Sequence, residues 1–204
     1  MMQKTAIELF SGTGTVSKVL EKNAWNVISI DNNPKFHPSI CCDILKITPE
    51  MLPGMVQFIW ASPVCTHFSR AASVHHWNKE TKKYRKYNYF PLTKEAHNSV
   101  ALLNKTIQII QWYPTAWFVI ENPVGRIPHF SALRNLAHYR YQVNYADWNW
   151  PHSKETYLFT NFLLPFGTKR RYTTKPGLRS VRNVIKRSQV PPELIQFIAD
   201  RIPT

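Results

Sequence analysis

The sequence predicts an α/β fold, a mostly parallel sheet with helices on both faces. Three observations lead there. Short apolar runs alternate with helix-like stretches through the first two-thirds of the chain, the pattern of βαβ units whose strands run parallel. Ala96, Val100, Leu103, Ile107 and Ile110 recur at helical spacing within the longest helix candidate, Thr93 to Trp112. Three of the apolar runs lead directly into segments rich in chemistry, Glu8 to Gly14, Ser62 to Ser69 and Glu121 to Pro123.

The elements follow in order. Thr5 to Phe10 reads as a strand, and Thr15 to Lys22 as a helix opened by the Gly12–Gly14 turn. Trp25 to Ile30 is a second strand ending at Asp31, and Val56 to Trp60 a buried strand ending at Ser62-Pro63. Trp117 to Ile120 is a strand ending at Glu121. Tyr141 to Tyr145 and Glu155 to Thr160 look like a hairpin pair. Pro191-Pro192-Glu193 opens a closing amphipathic helix with Leu194, Phe197, Ile198 and Ile202 on one face. In open parallel sheets ligands bind beyond the carboxyl ends of the strands, where all three chemical segments fall. The expected division is a main domain over residues 1–165, with a short basic segment and closing helix over 166–204 packed upon it.

Composition sets further bounds. A chain of 204 residues, 44% hydrophobic and with seven Trp, is long enough to bury a substantial core. Lys plus Arg number 26 against 12 acids, a formal charge of +14 that suits a polyanion such as nucleic acid. With three cysteines, two of them adjacent at Cys41 and Cys42, there is no disulfide framework or paired CxxC metal site. His75-His76 has no second ligand cluster at useful spacing, so no metal is expected. No apolar run approaches the roughly 18 residues that cross a bilayer, and no secretory signal pattern opens the sequence. A cytoplasmic monomer without a membrane partner is the expectation.

The glycine turn and the acids after it suggest a nucleotide-like cofactor. Gly12 and Gly14 let backbone N–H groups approach a ligand at a helix N-terminus. Asp31 is placed for ribose hydroxyls, while Asp43 could hold an adenine amine with Ile44 against the ring. Ser17 stands where the full dinucleotide fingerprint has a third glycine, so these residues leave NAD and S-adenosylmethionine both open. At the other end of the cleft, Cys65 lies in a polar turn just beyond a buried strand, where a thiolate can act as a nucleophile. Glu121 ends another strand and faces the same cleft.

Glu8-Leu-Phe-Ser-Gly-Thr-Gly14, Asp31, Asp43-Ile44, Pro63-Val-Cys65-Thr-His-Phe-Ser69 and Glu121-Asn-Pro123, in that order, resemble the DNA cytosine-5 methyltransferase family. The resemblance continues through Asn144 to Thr156, where the family has a Gln-x-Arg-x-Arg unit, and through Val190 to Ile198, its final helix. It implies a Rossmann-like class I S-adenosylmethionine-dependent methyltransferase fold, with Phe10, Ser11, Gly12, Gly14, Asp31, Asp43, Ile44 and Pro63 at the cofactor. It also implies that Cys65 adds to cytosine carbon 6, while Glu121 hydrogen-bonds ring N3 and the exocyclic amine. Lys154 keeps a positive charge where the family has arginine, though not its planar fork. In a duplex the base is first flipped out of the stack.

The sequence departs from the family at identifiable places. Val64 precedes the nucleophile where proline is usual, Thr66 replaces glutamine, and the late unit reads His152-x-Lys154-x-Thr156. Ser188-Gln189 replaces the usual Gly-Asn before the final helix. Only Phe162 to Gln189 lies where the family places its target-recognition region, so short or relaxed specificity is expected. Between Arg70 and Lys94, the family's mobile loop over the flipped base, seven cations interleave with Trp77, Tyr84, Tyr87, Tyr89 and Phe90. Lys169 to Arg187 adds eight more cations and no acid. Ser69, Arg70, Lys82, Lys83, Arg85, Lys86, Arg170 and Arg171 are the expected DNA contacts.

These features point to a cytosine-5 methyltransferase acting on DNA, similar to small phage or prophage versions that protect against restriction. The rival readings are methylation of RNA or a free cytosine nucleotide, an inactive DNA-binding derivative of the fold, and an NAD enzyme. Fifteen cations in two runs favour a polymer, retained Cys65 and Glu121 favour catalysis, and the incomplete fingerprint disfavours NAD.

Overall fold

Alternation along the first strand sets the layout. In β1 (Thr5–Leu9) Ile7 and Leu9 point to one face and Ala6 and Glu8 to the other, all four buried. A strand buried on both faces belongs inside a sheet covered by helices. The computed structural model describes residues 3–69, 73–81, 87–166 and 188–203. It places β1 between β2 (Asn26–Asp31) and β4 (Phe58–Ala61) in a seven-stranded sheet. The short β3 (Ile40–Cys41) extends the sheet beyond β2, and β7 (Trp117–Pro123) pairs with β4; all these neighbours run parallel. The hairpin of β8 (Tyr139–Asn144) and β9 (Glu155–Thr160) then adds antiparallel, with β9 against β7.

Two cores result. On one face Ile7, Leu9, Ile59 and Ile120 pack under Leu103 and Ile107 of α3 (Lys94–Gln111). On the other, Ala6, Phe58, Trp60 and Val119 meet Val16 and Leu20 of α1 (Thr15–Lys22) and Leu194 and Ile198 of the closing helix. That helix, Pro192–Ala199, is tied to α1 by paired amide hydrogen bonds of 2.9 and 3.0 Å between Asn23 and Gln196. Thr93 caps α3 by accepting from the Ala96 N–H at 3.2 Å. At α1 the N-cap is Gly14, which has no side chain, and the cap comes from β1 instead. The buried Glu8 carboxylate accepts from the Ser17 N–H at 2.8 Å and from the Ser17 hydroxyl.

The register aligns the site. Leu9 pairs with both Ile30 and Ala61, and Ala61 with Ile120. Phe10, Asp31, Ser62 and Glu121 are therefore each the next residue beyond one common line across four strands. The chain leaves β1 toward β2 on one side and returns to β4 on the other, so the crevice between them is the switch point where ligands bind.

Local differences from the sequence reading have simple causes. β7 runs past Ile120 to Pro123 because β9 pairs with it through that stretch. β8 starts at Tyr139 and stops at Asn144; the Asn144 side chain accepts from the Ala146 N–H and starts a 3-10 turn over Tyr145–Trp148. Within 70–94, the described residues form a four-residue helix α2 (Ser73–His76) and an antiparallel pair, β5 (Trp77–Thr81) with β6 (Tyr87–Pro91). Trp77, one of the aromatics interleaved with the cations of this loop, is buried and stacked on Phe68, its indole N–H donating to the His67 carbonyl at 2.7 Å. Phe90, from the same group, is exposed.

Candidate active site

The thiol comes from the turn after β4. The Phe68 and Ser69 N–H groups both donate to the Cys65 carbonyl, at 3.1 and 3.0 Å, closing a tight turn that leaves Cys65 half-buried. Three ties hold the turn to β7. The Asn122 amide donates to the Pro63 carbonyl at 3.0 Å, the Arg126 N–H to the Phe68 carbonyl at 2.8 Å, and Ser69 forms a β-bridge with Gly125. The approach at Gly125 is so close that a Cβ there would sit 2.0 Å from the Phe68 carbonyl oxygen. Only glycine fits.

The carboxyl comes from β7. Glu121 is buried, and its Oε1 accepts from the Tyr145 hydroxyl at 2.7 Å and from Lys154 Nζ at 3.2 Å. Lys154 is equally buried and lies 4.7 Å from the Tyr145 ring centroid, where the ring's negative face supports the ammonium. Burial first, then the Glu121 charge, holds the Tyr145 phenol well above its ordinary range. A Cys65 thiolate acts on that phenol in the same direction, so thiol and carboxyl share one electrostatic neighbourhood. His152 stays neutral more readily than a free histidine, through burial and then the Lys154 charge; its Nε2 accepts from the Trp150 indole at 3.0 Å.

The cofactor side is built from the end of β1 and the acids beyond it. Gly12 and Gly14 have φ of +49° and +66°, and no atom lies within 4 Å of a Cβ at either position, so backbone conformation is what requires glycine. Their N–H groups turn inward. Gly12 donates to Asp31 Oδ2 at 2.9 Å and Gly14 to the Ser11 carbonyl at 2.8 Å, which corrects the expectation that they point at a ligand. The hydrogen bond fixes the Asp31 carboxylate at the crevice, where Oδ1 also accepts from the Asn33 N–H at 2.8 Å. Asp43 caps the 3-10 turn Ile44–Lys46 through the Leu45 N–H at 3.0 Å, and Ile44 behind it is buried.

A cavity of about 150 Å³ opens here, and Phe10, Asp31, Asp43 and Ile44 line it with Val64 and Leu102. Carboxylates with spare lone pairs beside an apolar wall suit a ribose and a flat base. Ser11, Gly12, Gly14 and Pro63 shape its surroundings through backbone bonds rather than lining it. Val64 and Leu102 were not picked out from the sequence as cofactor residues. Val64 had a signal, since it departs from the family's proline; Leu102 had none beyond its place on an apolar helix. Tyr145 and Asn122 were also missed, although loss of the arginines around Lys154 signalled that Glu121 needed another partner.

Of the expected DNA contacts, Ser69 lies in the Cys65 turn, half-buried, its hydroxyl donating to the Thr66 carbonyl at 3.1 Å. Arg70, Lys82, Lys83, Arg85, Lys86, Arg170 and Arg171 lie outside the described residues. Among the described residues there is no cluster of three or more metal-ligating side chains, and no helix long and apolar enough to cross a membrane.

No family model matches the chain. It is 27% identical over 162 residues to a protein of Frog virus 3 (isolate Goorha) named "Probable DNA (cytosine-5)-methyltransferase", an overlap of 76% of this chain and 69% of that one. Among solved structures, the Dnmt2 methyltransferase of S. pombe superposes with a TM-score of 0.52 at 16% identity, over 81% of this chain and 53% of that one. The Entamoeba histolytica methyltransferase EhMeth gives 0.50 at 13% identity, over 88% and 60%. The chain thus spans little more than half the length of these structural neighbours. The fold is that of a class I methyltransferase, a mostly parallel, Rossmann-like sheet flanked by helices. Within that class, the chain fits a small member of the cytosine-5 methyltransferase family.

Proposed function

We propose that this protein methylates carbon 5 of cytosine in DNA, using S-adenosylmethionine and a transient bond between Cys65 and the base. The observation that carries the reading is the pairing of β4 with β7. Register Ala61 to Ile120 sets the Cys65 turn and the Glu121 carboxylate at the ends of adjacent parallel strands. Similarity to the frog-virus protein supports DNA as the substrate, as does the excess of cations.

Each residue's part follows from its chemistry. Carbon 5 of cytosine is too electron-poor to take a methyl group directly. The Cys65 thiolate adds to carbon 6, and the displaced π electrons move through the ring toward N3, making carbon 5 nucleophilic. As that charge develops N3 takes a proton from water, Glu121 accepts the resulting N3–H hydrogen bond, and the proton returns to water when the thiolate leaves. When bound along Phe10, Asp31, Asp43 and Ile44, S-adenosylmethionine supplies the electrophilic methyl group for carbon 5. Loss of the carbon 5 proton to water then returns an electron pair to the ring double bond, and the carbon–sulfur bond breaks to release the thiolate. Lys154 Nζ, 3.2 Å from Glu121 Oε1, places the opposite charge beside the buried carboxyl group.

Specificity is expected to be short or relaxed, because base readout needs several side chains held in a groove. Protection of DNA against restriction, the role implied by the resemblance to small phage versions, is the biological role proposed with it. The test is transfer of labelled methyl to duplex DNA, single-stranded DNA, RNA and free cytosine nucleotide. Transfer to DNA that disappears in Cys65→Ala supports the proposal. Transfer only to RNA or to the nucleotide replaces the substrate, and undiminished transfer by Cys65→Ala removes the mechanism.

A further inference from the structure

Glu121 has two carboxylate oxygens, and the protein treats them differently. Oε1 receives both the Tyr145 O–H at 2.7 Å and the Lys154 N–H at 3.2 Å. Oε2 takes no hydrogen bond from a described residue. The Tyr145 ring is fully buried, so the direction of its hydroxyl is set by packing. Tyr145 itself is delivered by the β8–β9 hairpin, where its N–H donates to the Lys154 carbonyl at 3.1 Å.

We propose that Tyr145 is the positioning residue of the active site, holding Glu121 through Oε1 so that Oε2 alone is presented to the cytosine ring. The proposal rests on the cytosine reading above and names which atom does the work. A carboxylate held by lysine alone keeps its charge balanced but can rotate about its last torsion, since one ammonium at 3.2 Å is a point charge without a fork. The phenol adds a second, short, charge-assisted bond from a rigid ring. With both positions on Oε1 filled, the carboxylate plane is fixed and Oε2 meets the N3 proton without reorganising. Tyr145 acts through Glu121 and touches neither base nor cofactor in this arrangement.

The test uses the full chain on cytosine-bearing duplex DNA. Tyr145→Phe removes one oxygen and keeps the ring. Its kcat is expected to fall at least tenfold, with KM for DNA and the S-adenosylmethionine dissociation constant within threefold of wild type. Should the phenylalanine variant fail to fold, 4-methylphenylalanine at position 145 fills the same space without a donor and carries the same expectation. 4-Aminophenylalanine there restores an N–H donor and should recover most of the lost kcat, which a purely structural role would not require. A kcat within threefold of wild type in a donor-less variant overturns the positioning role and leaves cytosine chemistry standing. Equal loss in the amino variant, or a loss expressed in KM, overturns it likewise. A wild-type chain that methylates cytosine in none of DNA, RNA and the free nucleotide overturns the cytosine reading itself, and the role of Tyr145 with it.

Discussion

Lys154 Nζ lies 3.2 Å from Glu121 Oε1 with both side chains about 95% buried, so neither charge has water to fall back on. Removing one partner leaves the other uncompensated. Lys154→Met is expected to destabilise the fold by about 3–5 kcal/mol. The double variant with Glu121→Gln should recover much of that loss, because no buried charge remains. Denaturant unfolding of the two single variants and the double checks this; strict additivity would mean that the pair is not coupled.

Glu8 gives the fold a pH dependence of definite sign. Burial, partly offset by bonds from Ser17 and the Val16 N–H, pushes its pKa from 4.5 up to about 7. Between those values the folded state holds a proton that the unfolded state has released. Stability from this group is therefore fully present below 4.5 and is lost as pH rises through about 7. The difference amounts to about 3 kcal/mol. His67, His129 and His152 have lowered pKa values and push the other way below their ordinary value of 6.5. The Glu8 contribution is isolated by subtracting the Glu8→Gln stability curve from that of wild type. A flat difference between pH 4.5 and 7 would remove it.

Gly125 is where the thiol turn and β7 touch. With 2.0 Å between a Cβ and the Phe68 carbonyl, Gly125→Ala must displace the turn that carries Cys65. The rate of trapping by 5-fluorocytosine DNA is expected to fall on the order of 100-fold, the scale that displacing a reacting atom by about 1 Å can cost. Cofactor affinity, which depends on the far side of the crevice, should change little. Unaltered trapping would show that the turn is not set by this contact.

Asp31 works on both the protein and the ligand. It accepts the Gly12 N–H at 2.9 Å and the Asn33 N–H at 2.8 Å, which leaves further lone pairs at the crevice. Asp31→Ala is expected to weaken S-adenosylmethionine binding at least tenfold, the loss of about 1.4 kcal/mol or more that charged hydrogen bonds command. Calorimetric titration measures it. Unchanged affinity would place the ribose elsewhere.

How much of this was legible in the sequence depended on how locally each feature is encoded. The strands and the ends carrying Asp31, Cys65 and Glu121 could be read because continuous apolar runs stop at polar or turn residues. The helical spacing of Ala96, Val100, Leu103, Ile107 and Ile110 placed α3 almost to the residue. Trp77-Asn-Lys-Glu-Thr81 lacks an apolar run, so its pairing with Tyr87–Pro91 was hidden, as was the stacking of Trp77 on Phe68, which no local pattern signals. Tyr145 was harder still. Its contact with Glu121 exists only once β9 has paired with both β7 and β8, a result of register across residues distant in the chain. The cavity wall shows the same limit, with Val64 and Leu102 meeting only through the packing of α3 on the sheet.

The most direct measurement is to trap the protein on DNA containing 5-fluorocytosine with S-adenosylmethionine present, digest the complex, and locate the modified residue by mass spectrometry. A nucleotide adduct on the peptide containing Cys65, absent in Cys65→Ala, is the expected result. An adduct on Cys41 or Cys42, or none where the same preparation methylates ordinary cytosine, would contradict the central role given to Cys65.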